Sequence, residues 1–150
     1  MTFIDEALSG VSTLAFDSDC IIYFMNQDTD HDAPMIEIFL RVASSRICGL
    51  TSTITLTEGL VYAFRNGDLQ IQQEYRDLLN NSNNFRLVAI DSSIAERAAE
   101  LRARYNLRTP DALQVATAID TGCEAFLTNN ARHFKRVTDL RVLILDELEL

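Results

Sequence analysis

Three carboxylates stand where they could take part in chemistry: Asp17, Glu58 and Asp111. Asp17 ends the apolar segment 12–17 (STLAFD), where it could equally cap a following helix. Glu58 lies in a stretch that is otherwise almost free of charge, so it is either a lone solvated acid or an acid directed into a site. Asp111 belongs to a Thr-Pro-Asp sequence that opens an apolar helix, where the helix dipole also favours an acid. An active site built from such acids would be negatively charged until cations filled it.

Segments with the pattern of strands and of helices alternate along the chain. Strands are predicted at 12–17, 46–51, 85–90, 124–129 and 141–145, and helices at 20–26, 35–43, 54–64, 69–79, 93–105 and 109–120. Ser93 and Glu96 have the spacing of a capping box, and an acidic loop is predicted at 27–34. The alternation predicts an α/β fold, a three-layer α/β/α sandwich with a central, mostly parallel sheet, in one domain over 1–150.

Ligands of such sheets bind outside the carboxyl ends of the strands. The residues that directly follow the predicted strands are therefore the first candidates for chemistry. They are residues 17–19, 51–53, Asp91 and 128–130.

The composition indicates a fold that needs no disulfide or metal scaffold. The chain has 150 residues, of which 47% are hydrophobic and 23% are charged, and this is about the size of one domain. The three cysteines, Cys20, Cys48 and Cys123, fit neither a disulfide framework nor a zinc site, and each is predicted to be buried. No apolar run is long enough to span a membrane, and the N-terminus carries acids where a signal peptide would carry bases, so a cytoplasmic location is expected.

The charge balance limits the ways in which the chain can bind nucleic acid. A net charge of −9 argues against binding by bulk electrostatic attraction, which depends on Lys and Arg neutralising phosphates. It does not exclude a nuclease, because twelve of the thirteen basic residues are Arg, which suits bidentate contacts with phosphate. The balance therefore has to be judged locally.

Four local motifs carry a resemblance to a known family. They are FDSDCIIYF at 16–24, TSTITLTEGL at 51–60, TPDALQVATAI at 109–119 and FLTNNARHF at 126–134. In this order, with RVLILDEL at 141–148 as a last strand, they resemble the PIN-domain family of metal-dependent ribonucleases, which includes the VapC-type toxins. The resemblance extends over about residues 14–147.

The resemblance implies a catalytic cluster of Asp17, Glu58 and Asp111 that holds one or two Mg²⁺ or Mn²⁺ ions at the strand ends. Hard divalent cations prefer oxygen ligands, and carboxylates that are forced together raise one another's pKa unless a cation neutralises them. The expected reaction is metal-assisted hydrolysis of RNA phosphodiester bonds. Further metal ligands and supporting groups would be Asp19 and Asn130 as ligands, Ser18 and Thr128 as hydroxyl neighbours, and Asn129 as a support for them.

Two positions depart from the family pattern. Asn130 stands where the family most often has a fourth acid, so metal affinity is expected to be lower. Asp19 stands where the family more often has Asn, and we hypothesise that it partly compensates for Asn130. The alternative interpretation is a catalytically weakened or inactive PIN-like module that binds RNA or a protein partner.

The resemblance also implies partners: an RNA substrate, a second copy of the chain in a homodimer, and an antitoxin whose basic arm neutralises the acidic pocket. Arg108, Arg132 and Lys135 flank the candidate acids and are predicted to contact RNA phosphates, although each could belong to a solvated helix face. His133 is expected to be a packed or capping residue. Tyr23, Phe24, Tyr62 and Phe64 have core-like spacing and are predicted to pack, although the resemblance offers an apolar partner interface over 22–25 or 61–64 as the alternative.

Segment 16–20 (FDSDC) also resembles the opening of haloacid-dehalogenase-like phosphotransferases. In that family Asp17 would be the nucleophile, Asp19 the acid/base and Thr128 the phosphate-binding hydroxyl. The family also needs a suitably placed Lys and a later acidic pair, and the single Lys135 is followed only by a terminal strand. The nuclease interpretation is favoured because it also accounts for the motif at 109–119.

Overall fold

Helices and strands alternate along the computed structural model of the chain, which describes residues 1–27 and 30–150. The first half contains β1 (Thr2–Phe3), α1 (Ile4–Ala7), β2 (Thr13–Phe16), α2 (Ser18–Met25), α3 (Asp32–Ala43), β3 (Cys48–Ser52), α4 (Thr53–Arg65) and α5 (Leu69–Asn81). The second half contains β4 (Phe85–Val88), α6 (Ser92–Tyr105), α7 (Thr109–Asp120), β5 (Ala125–Thr128), α8 (Ala131–Phe134), β6 (Arg141–Ile144), a 3₁₀ turn (Leu145–Glu147) and β7 (Leu148–Glu149). Residues 28 and 29 of the predicted acidic loop lie outside the described residues, and α3 begins inside that loop, at Asp32.

The central sheet has five strands in the order β4-β3-β2-β5-β6, and all four neighbouring pairs are parallel. Parallel neighbours need crossover connections, and the helices between the strands supply them. The α/β fold predicted from the alternation is therefore confirmed. The sequence did not predict the small parallel pair of β1 and β7, which joins the two ends of the chain.

Helices cover both faces of the sheet, because side chains alternate along its strands. On β2, Leu14 and Phe16 enter one hydrophobic cluster, whereas Ala15 enters the other. The first cluster packs under α1 to α5, and the second packs under α6 and α7. The three-layer arrangement follows from this division. No helix among residues 1–27 and 30–150 is long and apolar enough to cross a membrane.

The start of α6 differs from the predicted capping box. Its N-cap is Asp91, whose Oδ1 accepts a hydrogen bond from the backbone N–H of Ile94 at 2.9 Å. The box at Ser93 and Glu96 was therefore placed two residues too late. Asp91 was also a candidate for chemistry as a residue that follows a strand, and its side chain serves as a helix cap instead.

The buried face of α4 also differs from the prediction. Its fully buried residues are Thr55, Gly59 and Ala63, which repeat every four positions. A Cβ on Gly59 would lie 2.5 Å from Cε1 of Tyr75, so this small face brings α4 close to α5. Tyr62 consequently points outward and is 71% exposed.

Three predictions of burial are thus wrong: Tyr62 and Phe64 on α4 are exposed rather than packed, and Cys48 is exposed at the first residue of β3. Cys20 and Cys123 are buried as predicted.

Candidate active site

Asp17 lies at the carboxyl end of the central strand β2 and is only 6% exposed. Its Oδ1 accepts a hydrogen bond from the N–H of Ser18 at 2.9 Å, so the carboxylate caps α2. Its Oδ2 accepts a hydrogen bond from the hydroxyl of Thr128, the last residue of the neighbouring strand β5, at 2.7 Å. The same hydroxyl oxygen accepts from the N–H of Asn130 at 3.0 Å. The capping and functional interpretations of Asp17 are therefore compatible.

Asp19 is half-buried in the first turn of α2. Its Oδ1 accepts from the N–H of Cys20 at 2.7 Å, and its Oδ2 accepts from the N–H of Asn129 at 3.0 Å. The end of β5 thus orients both aspartates: the side chain of Thr128 holds Asp17, and the backbone of Asn129 holds Asp19.

Glu58 is exposed on α4, and its Oε1 accepts a hydrogen bond from the hydroxyl of Ser18 at 2.8 Å. Ser18 is buried, and in the sequence it stands between Asp17 and Asp19. The contact brings Glu58, forty residues away in sequence, to the start of α2.

Asp111 is 5% exposed in the first turn of α7, and two basic side chains hold it. The guanidinium of Arg108 makes a bidentate contact, with Nε 2.9 Å from Oδ2 and a terminal nitrogen 3.0 Å from Oδ1. Nδ1 of His133 lies 3.0 Å from Oδ2. His133 was not among the predicted site residues. A signal for it was its place on α8, three residues after Asn130 and so next to the carboxyl end of β5.

A buried polar network positions the helices that carry Glu58 and Asp111. The hydroxyl of Ser52, at the end of β3, donates to Oε1 of Gln114 on α7 at 2.8 Å. The amide of Gln114 in turn donates to the hydroxyl of Thr55 on α4 at 2.9 Å. Thr55 also lies 2.6 Å from the hydroxyl of Thr51, which donates to the carbonyl of Phe16 at 2.8 Å. Four elements, β2, β3, α4 and α7, are joined in this way directly behind the acids.

A second network, which the sequence analysis also missed, holds Asn129. Its Oδ1 accepts from the N–H of Asp146 at 2.8 Å, and its Nδ2 lies 3.2 Å from Nε2 of His31. The ring of His31 stacks on Tyr23 at 4.1 Å, and its Nε2 lies 3.0 Å from Oδ1 of Asp146. The backbone of Asn129 thus contacts Asp19, and its side chain is fixed by Asp146 and His31.

The remaining predicted residues are less closely gathered. The amide of Asn130 is turned toward α8: its Nδ2 lies 2.7 Å from Nδ1 of His133, and its Oδ1 accepts from the N–H of His133. Arg132 is exposed and has no hydrogen bond or ion pair within the described ranges. Lys135 pairs with Glu147 at 2.5 Å. Among the described residues Lys135 contacts Glu147 and not Asp17, so it does not take the place that the phosphotransferase interpretation requires of a lysine.

Burial and mutual repulsion act on the acids at the strand ends. The pKa of Asp17 is raised to about 8, first by burial and then by the charge of Asp19, against the hydrogen bond from Thr128, which lowers it. Burial also raises the pKa of Asp19, and the charge of Asp111 adds to this effect. The pKa of Arg108 is raised by its hydrogen bond to Asp111 and, more weakly, by the charges of Glu58 and Asp17. Asp19 and Asp111 therefore affect the ionisation of Asp17, and Glu58 and Asp17 affect that of Arg108.

The chemistry of these donors fits Mg²⁺ or Mn²⁺, since all of the candidate ligands offer oxygen atoms. A nearby cation would also lower the raised pKa of a buried acid. Within residues 1–27 and 30–150, however, no three His, Cys, Asp or Glu side chains are already gathered as a metal-binding group. Asp111 is held by Arg108 and His133, and Glu58 is held by Ser18. A metal ion would thus need some of these contacts to rearrange.

Residues 14–140 match the family model described as the PIN domain. No curated protein matches the sequence significantly. Among solved structures, a toxin-antitoxin complex from Klebsiella pneumoniae is 25% identical to the chain, with 88% of this chain and 97% of that chain covered and a TM-score of 0.68.

Two further solved structures resemble the chain at 18% identity, a level at which the likeness concerns the fold alone. One is VapBC2 from Rickettsia felis bound to a DNA fragment from its promoter, with 88% of this chain and 98% of that chain covered and a TM-score of 0.70. The other is VapC20 from Mycobacterium tuberculosis, a toxin that cleaves the sarcin-ricin loop, with 75% and 86% covered and a TM-score of 0.58.

The raised pKa of Asp17 predicts a pH-dependent stability of the metal-free protein. Between the unfolded value of 3.8 and about 8, the folded state keeps a proton that the unfolded chain loses. The free energy of unfolding is therefore expected to fall as the pH rises through this window. Urea denaturation in EDTA at several pH values from 5 to 8 (about one unit apart) measures the slope.

The variant Asp17→Asn, which cannot ionise, is expected to have a flatter pH profile than the wild type. Asp120→Asn, on the exposed end of α7, is the matched control and should keep the wild-type slope. Equal slopes for the wild type and Asp17→Asn would contradict the assignment.

Proposed function

This chain belongs to the PIN domain family, and on that premise we propose that it is a metal-dependent endoribonuclease of the VapC toxin kind. The observation that carries the proposal is the buried carboxylate of Asp17 at the end of the central strand, under the influence of Asp19 and Asp111. The likeness in fold to VapC20, a toxin that cleaves an RNA loop, also supports it. We propose that the activity resides in a single domain over residues 1–150. The protein is proposed to act in the cytoplasm.

The proposed catalytic and metal-binding residues are Asp17, Glu58 and Asp111, with Asp19 and Asn130 as further ligands. A divalent cation bound there supplies polarisation of the scissile phosphate and activation of water. Thr128 orients Asp17 through its hydroxyl, and Ser18 orients Glu58 in the same way. The network around Asn129 keeps Asp19 in place.

RNA binding in this acidic chain requires basic groups near the site, and we propose Arg108, Arg132 and Lys135. Arg132 has its guanidinium free within the described ranges, so it can contact phosphate without breaking another contact. The pair of Lys135 and Glu147 is exposed and contributes little to stability, so a phosphate can replace Glu147 at low cost.

A protein partner is proposed for the exposed apolar side chains Val61 and Tyr62 of α4; Phe64, on another side of the helix, and Leu69, at the start of α5, are exposed as well. This surface adjoins a cleft of about 640 Å³ that Glu58 and Tyr62 both line. We propose that the occupant is an antitoxin, because the chain is similar to a protein chain in a toxin-antitoxin complex from Klebsiella pneumoniae, and that a basic arm of the antitoxin reaches the acids. A homodimer is proposed as well.

The nuclease proposal predicts that the purified chain cleaves RNA when Mg²⁺ or Mn²⁺ is present and fails to do so in EDTA. Asp111→Asn should lower the rate at least about a hundredfold, because a ligand should matter more than the supporting groups around a metal site. The measurement is cleavage of a mixed RNA pool, followed on a gel.

Asp120→Asn makes the same chemical change on the exposed end of the same helix and should cleave like the wild type. A chain that binds RNA but does not cut it with either metal would overturn the nuclease proposal. That result would favour the alternative of an inactive binding module.

The hypothesis that Asp19 partly compensates for Asn130 has its own test. Asn130→Asp restores the acid that the family most often has at this position and is expected to bind Mn²⁺ more tightly than the wild type, since charge is added where a cation is proposed to bind. Calorimetric titration with Mn²⁺ and the RNA cleavage rate measure this, and unchanged affinity and activity would contradict the hypothesis.

The antitoxin proposal predicts that the product of a small neighbouring reading frame with a basic C-terminal arm co-purifies with this chain. Tyr62→Glu should abolish the complex, because it places a charge at an exposed apolar side chain that lines the cleft. Ile36→Glu, at an exposed apolar position on α3, is the control and should retain it.

Light scattering of the chain alone tests the homodimer, and the mass of one chain would contradict it.

A further inference from the structure

Arg108 and Asp111 form an ion pair that uses both oxygens of the carboxylate. The two contacts, 2.9 Å and 3.0 Å long, have the forked geometry in which a guanidinium binds a carboxylate most strongly. His133 adds a single contact, to Oδ2. With both oxygens engaged by one guanidinium, and Oδ2 also by His133, a metal ion would have to share Asp111 with these groups or displace them.

The position of Arg108 is not explained by the stability of its helix. Arg108 is the N-cap residue of α7, and its side chain makes no capping hydrogen bond. A positive charge at the N-terminus of a helix opposes the helix dipole, so it is unfavourable there on its own. The interaction that compensates for this placement is the one with the acids.

The guanidinium also lies within the field of the other candidate acids. Its charge is stabilised chiefly by Asp111 and to a smaller extent by Glu58 and Asp17. The guanidinium therefore supplies positive charge to the carboxylates that a metal ion would neutralise. The side chain of Arg108 is 63% exposed.

We infer that Arg108 is a tethered cation that occupies the carboxylate of Asp111 and competes with the divalent metal ion for it. This inference rests on the proposed function. A divalent ion carries twice the charge of the guanidinium, whose side chain is 63% exposed and therefore screened by solvent, so the ion can displace it from Asp111. The displaced Arg108 keeps its charge at the rim of the site, where a guanidinium is suited to bind a phosphate.

The competition predicts that removal of Arg108 strengthens metal binding while every proposed ligand stays in place. Arg108→Gln is expected to bind Mn²⁺ roughly fivefold more tightly than the wild type, which is the size of effect that a partly exposed ion pair can have. Arg108→Lys keeps the charge but cannot form the fork, and its affinity should lie between the two. Calorimetric titration of the purified, RNA-free chain measures all three affinities.

Arg132→Gln is the matched control. It removes the same charge from the neighbourhood of α8, where Arg132 has no hydrogen bond or ion pair within the described ranges, and should change the affinity by less than about twofold. Equal tightening by Arg108→Gln and Arg132→Gln would overturn the inference, because the effect would then be one of general charge.

The outcomes separate the inference from the proposed function. Wild-type binding of Mn²⁺ that is unchanged or weakened in Arg108→Gln would overturn the competition and leave the metal site standing. Absence of binding in the wild type and in Arg108→Gln alike would overturn both. Binding that is stronger in Arg108→Gln and lost in the double variant with Asp111→Asn would support the competition.

Discussion

The cost of gathering negative charge at the end of a buried parallel sheet is the constraint on which the rest of this molecule depends. Asp17 is almost fully buried, and both Asp19 and Asp111 act on it electrostatically. Carboxylates in such surroundings are stable only when they are protonated, hydrogen-bonded or paired with a cation. All three means bear on this site, since burial and the charge of Asp19 raise the pKa of Asp17 to about 8, Asp19 accepts two backbone hydrogen bonds, and Asp111 pairs with Arg108.

The scaffold behind the acids is polar and well satisfied. Gln114 bonds both Ser52 and Thr55, which fixes α7 against β3 and α4 with no unpaired buried side-chain atom among the described residues. A satisfied buried network of this kind imposes one arrangement on the elements that share it. The acids at positions 58 and 111 are consequently presented from rigid helices, whereas the side chain of Arg108 can move.

The net charge of −9 is compatible with a nucleic-acid substrate once this division of roles is considered. In the proposed site the acids would hold the metal ion, and Arg108 and Arg132 would contact phosphate. RNA would then be bound through a few local contacts, so its affinity should depend only weakly on salt. The exposed apolar surface around Tyr62 adjoins the same site, and a partner that covers it would also control access to the acids.

The alternation of apolar segments determined the α/β class and the positions of the main strands and helices, because the period of a strand or helix is a local property. The residues at the strand ends, and hence Asp17, Thr128 and Asn129, also followed from the sequence, since parallel strands end at one edge. Tertiary packing alone decided which side chains meet there. It turned Tyr62 outward, because Gly59 lets α4 approach Tyr75, and made Asp91 a cap. It also brought His133 onto Asp111, since contacts between elements depend on distances that no local pattern contains, whereas the contact of Arg108 with Asp111 is a local one between residues three apart.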